Sequence, residues 1–324
     1  MGGLPIFIGV THMDLNLLTA SLGDLFSLPA LDHVEVSVYE DNLFAPKTSE
    51  HYKFRPDHLK VVIAFLFNAK RGDGFLVHGP HGSGKTTLIQ ETLGRLKWPT
   101  LEMAWSNTSD ICDLVGRDRI AFGESKFEYG PLATAMKEGY ALIINEVDRG
   151  HGGNLVGLNN VLDGSNLVIK ETGEVIEPHE RFRLFVTANS TGSGDRTGAY
   201  TGSVRKLDPA FLDRFWYMKL GYMGEQDEID LFLRKYPQLS GTFVHRMVNF
   251  ANETRQKSIS ATGDITMPLS TRSLDRLFNV AQGFGLTDPK TTTDVIPALN
   301  PAYLDRLPED EREAVMVLLR MTFK

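Results

Sequence analysis

The sequence predicts an α/β fold: a parallel sheet with helices on both faces, followed by a small helical domain. Three observations predict it. Short apolar runs alternate with helical stretches between residues 74 and 220. A glycine-rich loop lies between the first of those runs and a helix. Beyond about residue 222 the apolar spacing is helical to the end. Repeated strand–helix alternation is the pattern of a parallel sheet covered on both sides.

Each element has its own local reason. Residues 1 to about 50 lack the βα rhythm. Leu4–Val10 is apolar but too short to span a bilayer, has no basic region before it and is soon interrupted by Asp14, so it reads as a packed or partner-binding segment. Val34–Tyr39 alternates and predicts a single strand. Asp57–Asn68 carries Leu59, Val62, Ile63, Phe65 and Leu66 at helical spacing. Core strands are expected at 74–78, 100–104, 140–145, 182–188 and 215–220. Two hairpins interrupt the rhythm, at 115–130 and at 166–178, the second turning at Thr172-Gly173. A loop rich in Gly, Ser and Thr fills 190–206, and its length marks it as functional. Helices follow at about 224–235, 242–257, 271–284 and 309–322. The chain thus divides into an N-terminal segment 1–50, a nucleotide-binding core 51–222 and a helical lid 223–324.

Composition narrows the class. With 42% hydrophobic and 23% charged residues the chain is an ordinary globular protein. A net charge of −7 argues against a general nucleic-acid coat, while leaving room for a local basic channel. Cys112 is the single cysteine, so no internal disulfide forms, which fits a cytoplasmic location. The histidines show no metal-ligand spacing with it.

Gly79-Pro80-His81-Gly82-Ser83-Gly84-Lys85-Thr86 is the most informative stretch. It has the spacing of a phosphate-binding loop and the required context, a buried strand before it and a helix after it. Its glycines let backbone amides turn inward as an anion nest, and the helix N-terminus adds positive partial charge. Lys85 is expected to reach the terminal phosphates of ATP and Thr86 to ligate Mg²⁺; Thr87 completes the nucleotide-binding set. The competing reading is a glycine-rich turn that happens to precede Lys-Thr.

A nucleotide hydrolase also needs a metal partner, a water-activating group and a cation for the transition state. The apolar strand ending at Ile144 runs into Asn145-Glu146. Glu146 is the general-base candidate and Asn145 the metal partner, where an aspartate is usual; the amide lacks full charge. Asp148, three residues on, is a candidate for restoring negative charge. Asn189, after the strand 182–188, is a candidate for holding the attacking water or the γ-phosphate, against the plainer role of a turn residue. Arg214 is a candidate arginine finger for a neighbouring subunit, against a surface salt bridge. Arg272, in Ser270-Thr271-Arg272, is a candidate for closing over bound nucleotide, against an ordinary residue of a first helical turn.

The order of these parts resembles an AAA+ ATPase. The two hairpins make it similar to the MoxR branch of the helix-2-insert clade. Arg181–Asn189, Gly192–Tyr200 and Asp110–Gly116 resemble the ATPase subunit of aerobic cobaltochelatase, over roughly residues 25–285. The resemblance implies a homo-oligomeric ring, usually a hexamer, with ATP between subunits. It also implies a partner bearing a von Willebrand A-type domain and a remodelled protein client. The family usually has Asp-Glu followed by Asn-Arg; here the order is Asn145-Glu146-Val147-Asp148-Arg149, as if amide and acid had changed places.

Two alternatives stand beside a protein-remodelling motor. One is a DNA-acting motor using Arg117, Arg119, Lys126 and Lys170 in the hairpins, though Glu124, Glu128, Glu171 and Glu174 interleave with them. The other is a slow-hydrolysing, ATP-dependent assembly switch, motivated by Asn145.

Overall fold

The computed structural model describes residues 16–121, 124–150, 155–192, 205–259 and 265–323. The apolar run Leu4–Val10 and most of the 190–206 loop lie outside them. The strands, in chain order, are β1 Leu17–Ser21, β2 Glu35–Tyr39, β3 Gly74–His78, β4 Thr100–Ala104, β5 Gly116–Ala121, β6 Glu124–Tyr129, β7 Ala141–Asn145, β8 Leu167–Val168, β9 Val175–Ile176, β10 Arg183–Ala188 and β11 Phe215–Lys219.

Five of them form one sheet in the order β11-β3-β10-β7-β4, with every neighbouring pair parallel. Side chains alternate between its faces, as the strand period of two requires. Leu76, Leu142, Ile144, Leu184 and Val186 enter one apolar core with Leu132, Met136 and Leu158. Phe75, Val77, Ile143 and Phe185 enter another with Leu59, Phe65, Leu88 and Leu93. Both faces are therefore covered, which is why these strands read as apolar runs rather than as alternation. The helices Pro56–Asn68 and Lys85–Arg95 lie on the second face.

Both hairpins form, β5 with β6 and β8 with β9, each antiparallel. The first separates the short helices Ile111–Val115 and Pro131–Glu138. Two expectations change. Val34–Tyr39 is not a single strand: β2 pairs antiparallel with β1, whose Leu17 and Leu18 are exposed and give no burial pattern to read. The C-terminal region also holds a helix at Thr292–Ala302 that the spacing did not show, because Pro297 and Pro301 lie inside it and read as breakers. Together with Glu225–Lys235, Gly241–Ile259, Thr271–Gly283 and Glu309–Thr322 it encloses an apolar core that includes Phe232, Phe243, Met247, Leu277, Phe278, Leu299 and Leu319.

Candidate functional site

The carboxyl ends of β3, β10 and β7 lie side by side, and in an open α/β sheet that edge is where ligands bind. The phosphate-loop sequence follows β3 there. Gly79 has φ 154° and its Cα faces the chain at Leu220 so closely that a Cβ would stand 2.0 Å from the Leu220 carbonyl oxygen. Gly82 has φ 73°, and a Cβ there would meet the Ser270 Cβ at 2.7 Å. Both positions therefore require glycine. The helix Lys85–Arg95 starts from Gly84 with no side-chain cap, which leaves its first N–H groups suited to an anion. The Ser83 hydroxyl is buried in the same loop without a hydrogen-bond partner among the described residues.

Lys85 is buried, and its ammonium donates to Gly79 O at 2.9 Å, Pro80 O at 3.0 Å and Asn189 Oδ1 at 2.9 Å. Burial pushes its pKa down to about 8; the Asp148 and Glu146 carboxylates oppose that shift and Arg272 adds to it. Four predicted residues are thus felt by one ammonium. Thr86 Oγ1 donates to Asn145 Oδ1 at 2.6 Å, and Thr187 Oγ1 donates to the same oxygen at 3.0 Å. Asn145 Nδ2 donates to Glu102 Oε1 at 2.6 Å. The oxygens grouped at Thr86 are its own hydroxyl, the Asn145 amide oxygen and the Thr187 hydroxyl, and oxygen donors suit Mg²⁺.

Glu146 sits at φ 59°, ψ 42°, the left-handed region that a non-glycine residue occupies only under constraint. Its N–H donates to Thr187 Oγ1 at 3.1 Å, and its carboxylate pairs with Arg149 at 3.0 Å. Strain of this kind concentrates at functional sites. Asp148 brings negative charge to the loop, since its carboxylate acts on Lys85, and its Oδ1 has no hydrogen-bond partner among the described residues. It is fully buried, and its Oδ2 accepts from Asn189 N (2.9 Å), Ser190 N (2.9 Å) and Ser190 Oγ (3.0 Å). Asp148 thereby holds the turn that presents Asn189 to Lys85.

The two arginines are placed differently. Arg272 opens the helix Thr271–Gly283 beside the loop: Ser270, its N-cap, packs on Gly82, and the Arg272 charge acts on Lys85. Arg214 lies at the other end of the sheet, since its carbonyl accepts from Gly74 N at the start of β3. There it makes a two-point ion pair with Asp163, at 2.7 and 2.9 Å. A strand of five residues, about 17 Å, separates it from the loop, so it does not serve the site of its own chain.

Glu102, Thr187 and Tyr222 also join the site, and no local spacing marks them. Tyr222 OH donates to His81 O in the loop at 3.0 Å. Glu102 reads as an outward acid on β4; its role needs the knowledge that β4 lies beside β7, with Ala104 opposite Asn145.

Comparison with known proteins agrees with this geometry. The family described as AAA domain (dynein-related subfamily) matches residues 74–215. The aerobic cobaltochelatase subunit CobS of Sinorhizobium sp. is 29% identical over 309 residues, 92% of this chain and 88% of that protein. The denitrification regulatory protein NirQ of Pseudomonas aeruginosa is 26% identical over 188 residues, 58% of this chain and 69% of that protein. Midasin of Dictyostelium discoideum is 26% identical over 76% of this chain, which spans only 4% of midasin. Residues 74–215 thus carry an AAA domain of the dynein-related subfamily, and over most of its length the chain is similar to the aerobic cobaltochelatase subunit CobS.

Proposed function

We propose that this chain is a cytoplasmic ATPase that works as a ring-forming motor, remodelling a protein complex of the metal-insertion or metallochelatase type, with 51–222 as its catalytic core and 223–324 as its lid. The observation that carries the ATPase reading is the hydrogen-bonded array joining Lys85, Thr86, Asn145 and Asn189 across the ends of three adjacent strands. The likeness to a cobaltochelatase subunit over nearly the whole of both chains supports the metallochelatase partner, with a von Willebrand A-type domain as its expected mark.

The chemistry assigned to each residue follows from its placement. Lys85 and the loop amides hold the β- and γ-phosphates. Thr86 and Asn145 would hold Mg²⁺, which would supply charge neutralisation at the phosphate oxygens. Glu146 accepts a proton from the water that attacks the γ-phosphorus, as the bond to the β–γ bridging oxygen breaks and ADP leaves. Asn189 orients that water or the γ-phosphate, and Arg272 adds positive charge from the lid side. Arg214 completes the site of a neighbouring subunit.

Two of the four hairpin cations that a DNA-acting motor would use are paired with carboxylates. Arg117 pairs with Asp113, and Arg119 pairs with Glu128 at 2.7 Å. Cations already committed to carboxylates release few counterions on binding a phosphate backbone.

The test is ATP turnover of the wild type beside Lys85→Ala and Glu146→Gln. Both substitutions are expected to lower it by at least about a hundredfold, with Glu146→Gln still binding ATP. Turnover unchanged in both variants rejects the reading.

A further inference from the structure

We propose that Glu102 sets the direction of the Asn145 amide and supplies, from the neighbouring strand, the negative charge that an aspartate at 145 would bring to the Mg²⁺ site. The inference rests on the nucleotide-binding reading above and deepens it.

An amide presents an oxygen at one end and an NH₂ at the other, and only its partners decide which end faces where. Glu102 Oε1 lies 2.6 Å from Asn145 Nδ2. A carboxylate accepts and does not donate, so it fixes the NH₂ end toward itself. The oxygen end then faces Thr86 Oγ1 at 2.6 Å and Thr187 Oγ1 at 3.0 Å. With its proton given to Asn145, the Thr86 oxygen keeps its lone pairs for a cation. The reverse flip would aim an NH₂ at that position. Glu102 is itself anchored: its Oε2 accepts from Gln90 Nε2 at 2.6 Å, and Gln90 stands one turn beyond Thr86 on the same helix. Thr86, Asn145, Glu102 and Gln90 therefore link the helix, β7 and β4 in one chain of hydrogen bonds. Outer partners of this kind orient metal ligands and raise their donor strength.

The arrangement reverses the simple expectation that Asn145→Asp improves the site. That substitution alone sets carboxylate against carboxylate at the Glu102 contact, and like charges that close disfavour joint ionisation. The exchange has to be made in both strands: in Asn145→Asp/Glu102→Gln the new Gln amide donates to the new Asp and still accepts from Gln90.

The experiment is equilibrium titration of fluorescent mant-ADP in excess Mg²⁺ and in EDTA, on the wild type, Glu102→Gln, Asn145→Asp and the double variant. The readout is the ratio of the two dissociation constants. Each single variant is expected to lose about tenfold of the magnesium enhancement. For Glu102→Gln, binding in EDTA should stay within about twofold of wild type, and the double variant should recover most of the lost magnesium enhancement. Glu102 is exposed on the edge strand β4, so its conservative replacement leaves the core intact; thermal melts of all four chains check this. A magnesium ratio unchanged in Glu102→Gln, or raised in Asn145→Asp alone, overturns the inference while leaving nucleotide binding standing. No mant-ADP binding by the wild type in either buffer overturns the nucleotide reading, and the inference with it.

Discussion

An ammonium inside a folded loop keeps its charge only as far as its neighbours replace lost water. Lys85 is replaced in part, by two loop carbonyls and Asn189, and its pKa falls to about 8. The sign for binding follows. The charged form attracts phosphate, so affinity is full below about pH 8 and declines as pH rises through it. Bound phosphate stabilises the ammonium and draws a proton back. Titration calorimetry with ATP in buffers of different ionisation heat is expected to show proton uptake near pH 9 and none near pH 6, both as rough working points. Equal uptake at both would assign the proton to another group. Asp148 belongs to the same scale: its Oδ2 takes three hydrogen bonds from the Asn189-Ser190 turn, while its charge supports the Lys85 ammonium.

Among the elements, two residues flanking the lid helices meet the phosphate loop. Ser270 packs on Gly82, and Tyr222 OH donates to His81 O. A buried ion pair underlies both. Arg255 Nη1 and Nη2 donate to Glu228 at 2.7 and 2.9 Å, with the side chains 5% and 0% exposed. The Arg255 guanidinium lies 4.2 Å from the Tyr222 ring centroid. Glu228 Oε1 also accepts from Thr271 Oγ1 at 2.6 Å, next to Arg272. Three lid helices and Tyr222 thus share one pair of charges. Arg255→Met leaves Glu228 buried without its partner and is expected to destabilise the chain by about 3–5 kcal/mol. Arg255→Met with Glu228→Leu should recover most of that loss, since apolar replacement of a whole buried pair is close to neutral. Urea denaturation of the two variants measures both; equal loss in the pair and the single variant would assign the effect to packing.

At the scale of the whole molecule, the proposed site draws on a second copy of the chain. Arg214 stands at the opposite end of the sheet from Lys85, paired with Asp163. Its proposed role is exercised on a neighbouring copy. Arg214→Ala and Lys85→Ala are each expected to abolish most ATP turnover alone. Mixed in equal amounts, they should regain a measurable part of it, because a Lys85→Ala subunit offers an intact Arg214 to an intact phosphate loop beside it. Light scattering on the same mixtures reports whether they assemble. Assembled mixtures with no recovered turnover would place Arg214 in structure alone. Among the described residues no helix is long and apolar enough to cross a membrane.

Much of this was legible in order along the chain. The glycine spacing of 79–86, the apolar runs and the strand-end residues Asn145, Glu146 and Asn189 are local signals, because turn geometry and burial on both faces act within a few residues. They determined the α/β class, the five sheet strands and the phosphate loop. Where prolines lay inside a helix, as at Pro297 and Pro301, or a strand's apolar residues stayed exposed, as at Leu17 and Leu18, local signals pointed elsewhere. The tertiary structure alone decided which strands are neighbours. That placed Glu102 of β4 against Asn145 of β7, turned Asp148 toward Asn189, and set Arg214 and Arg272 at opposite ends of the sheet. Hydrogen bonds between residues 40 or more positions apart depend on strand order and register, and no local spacing encodes either.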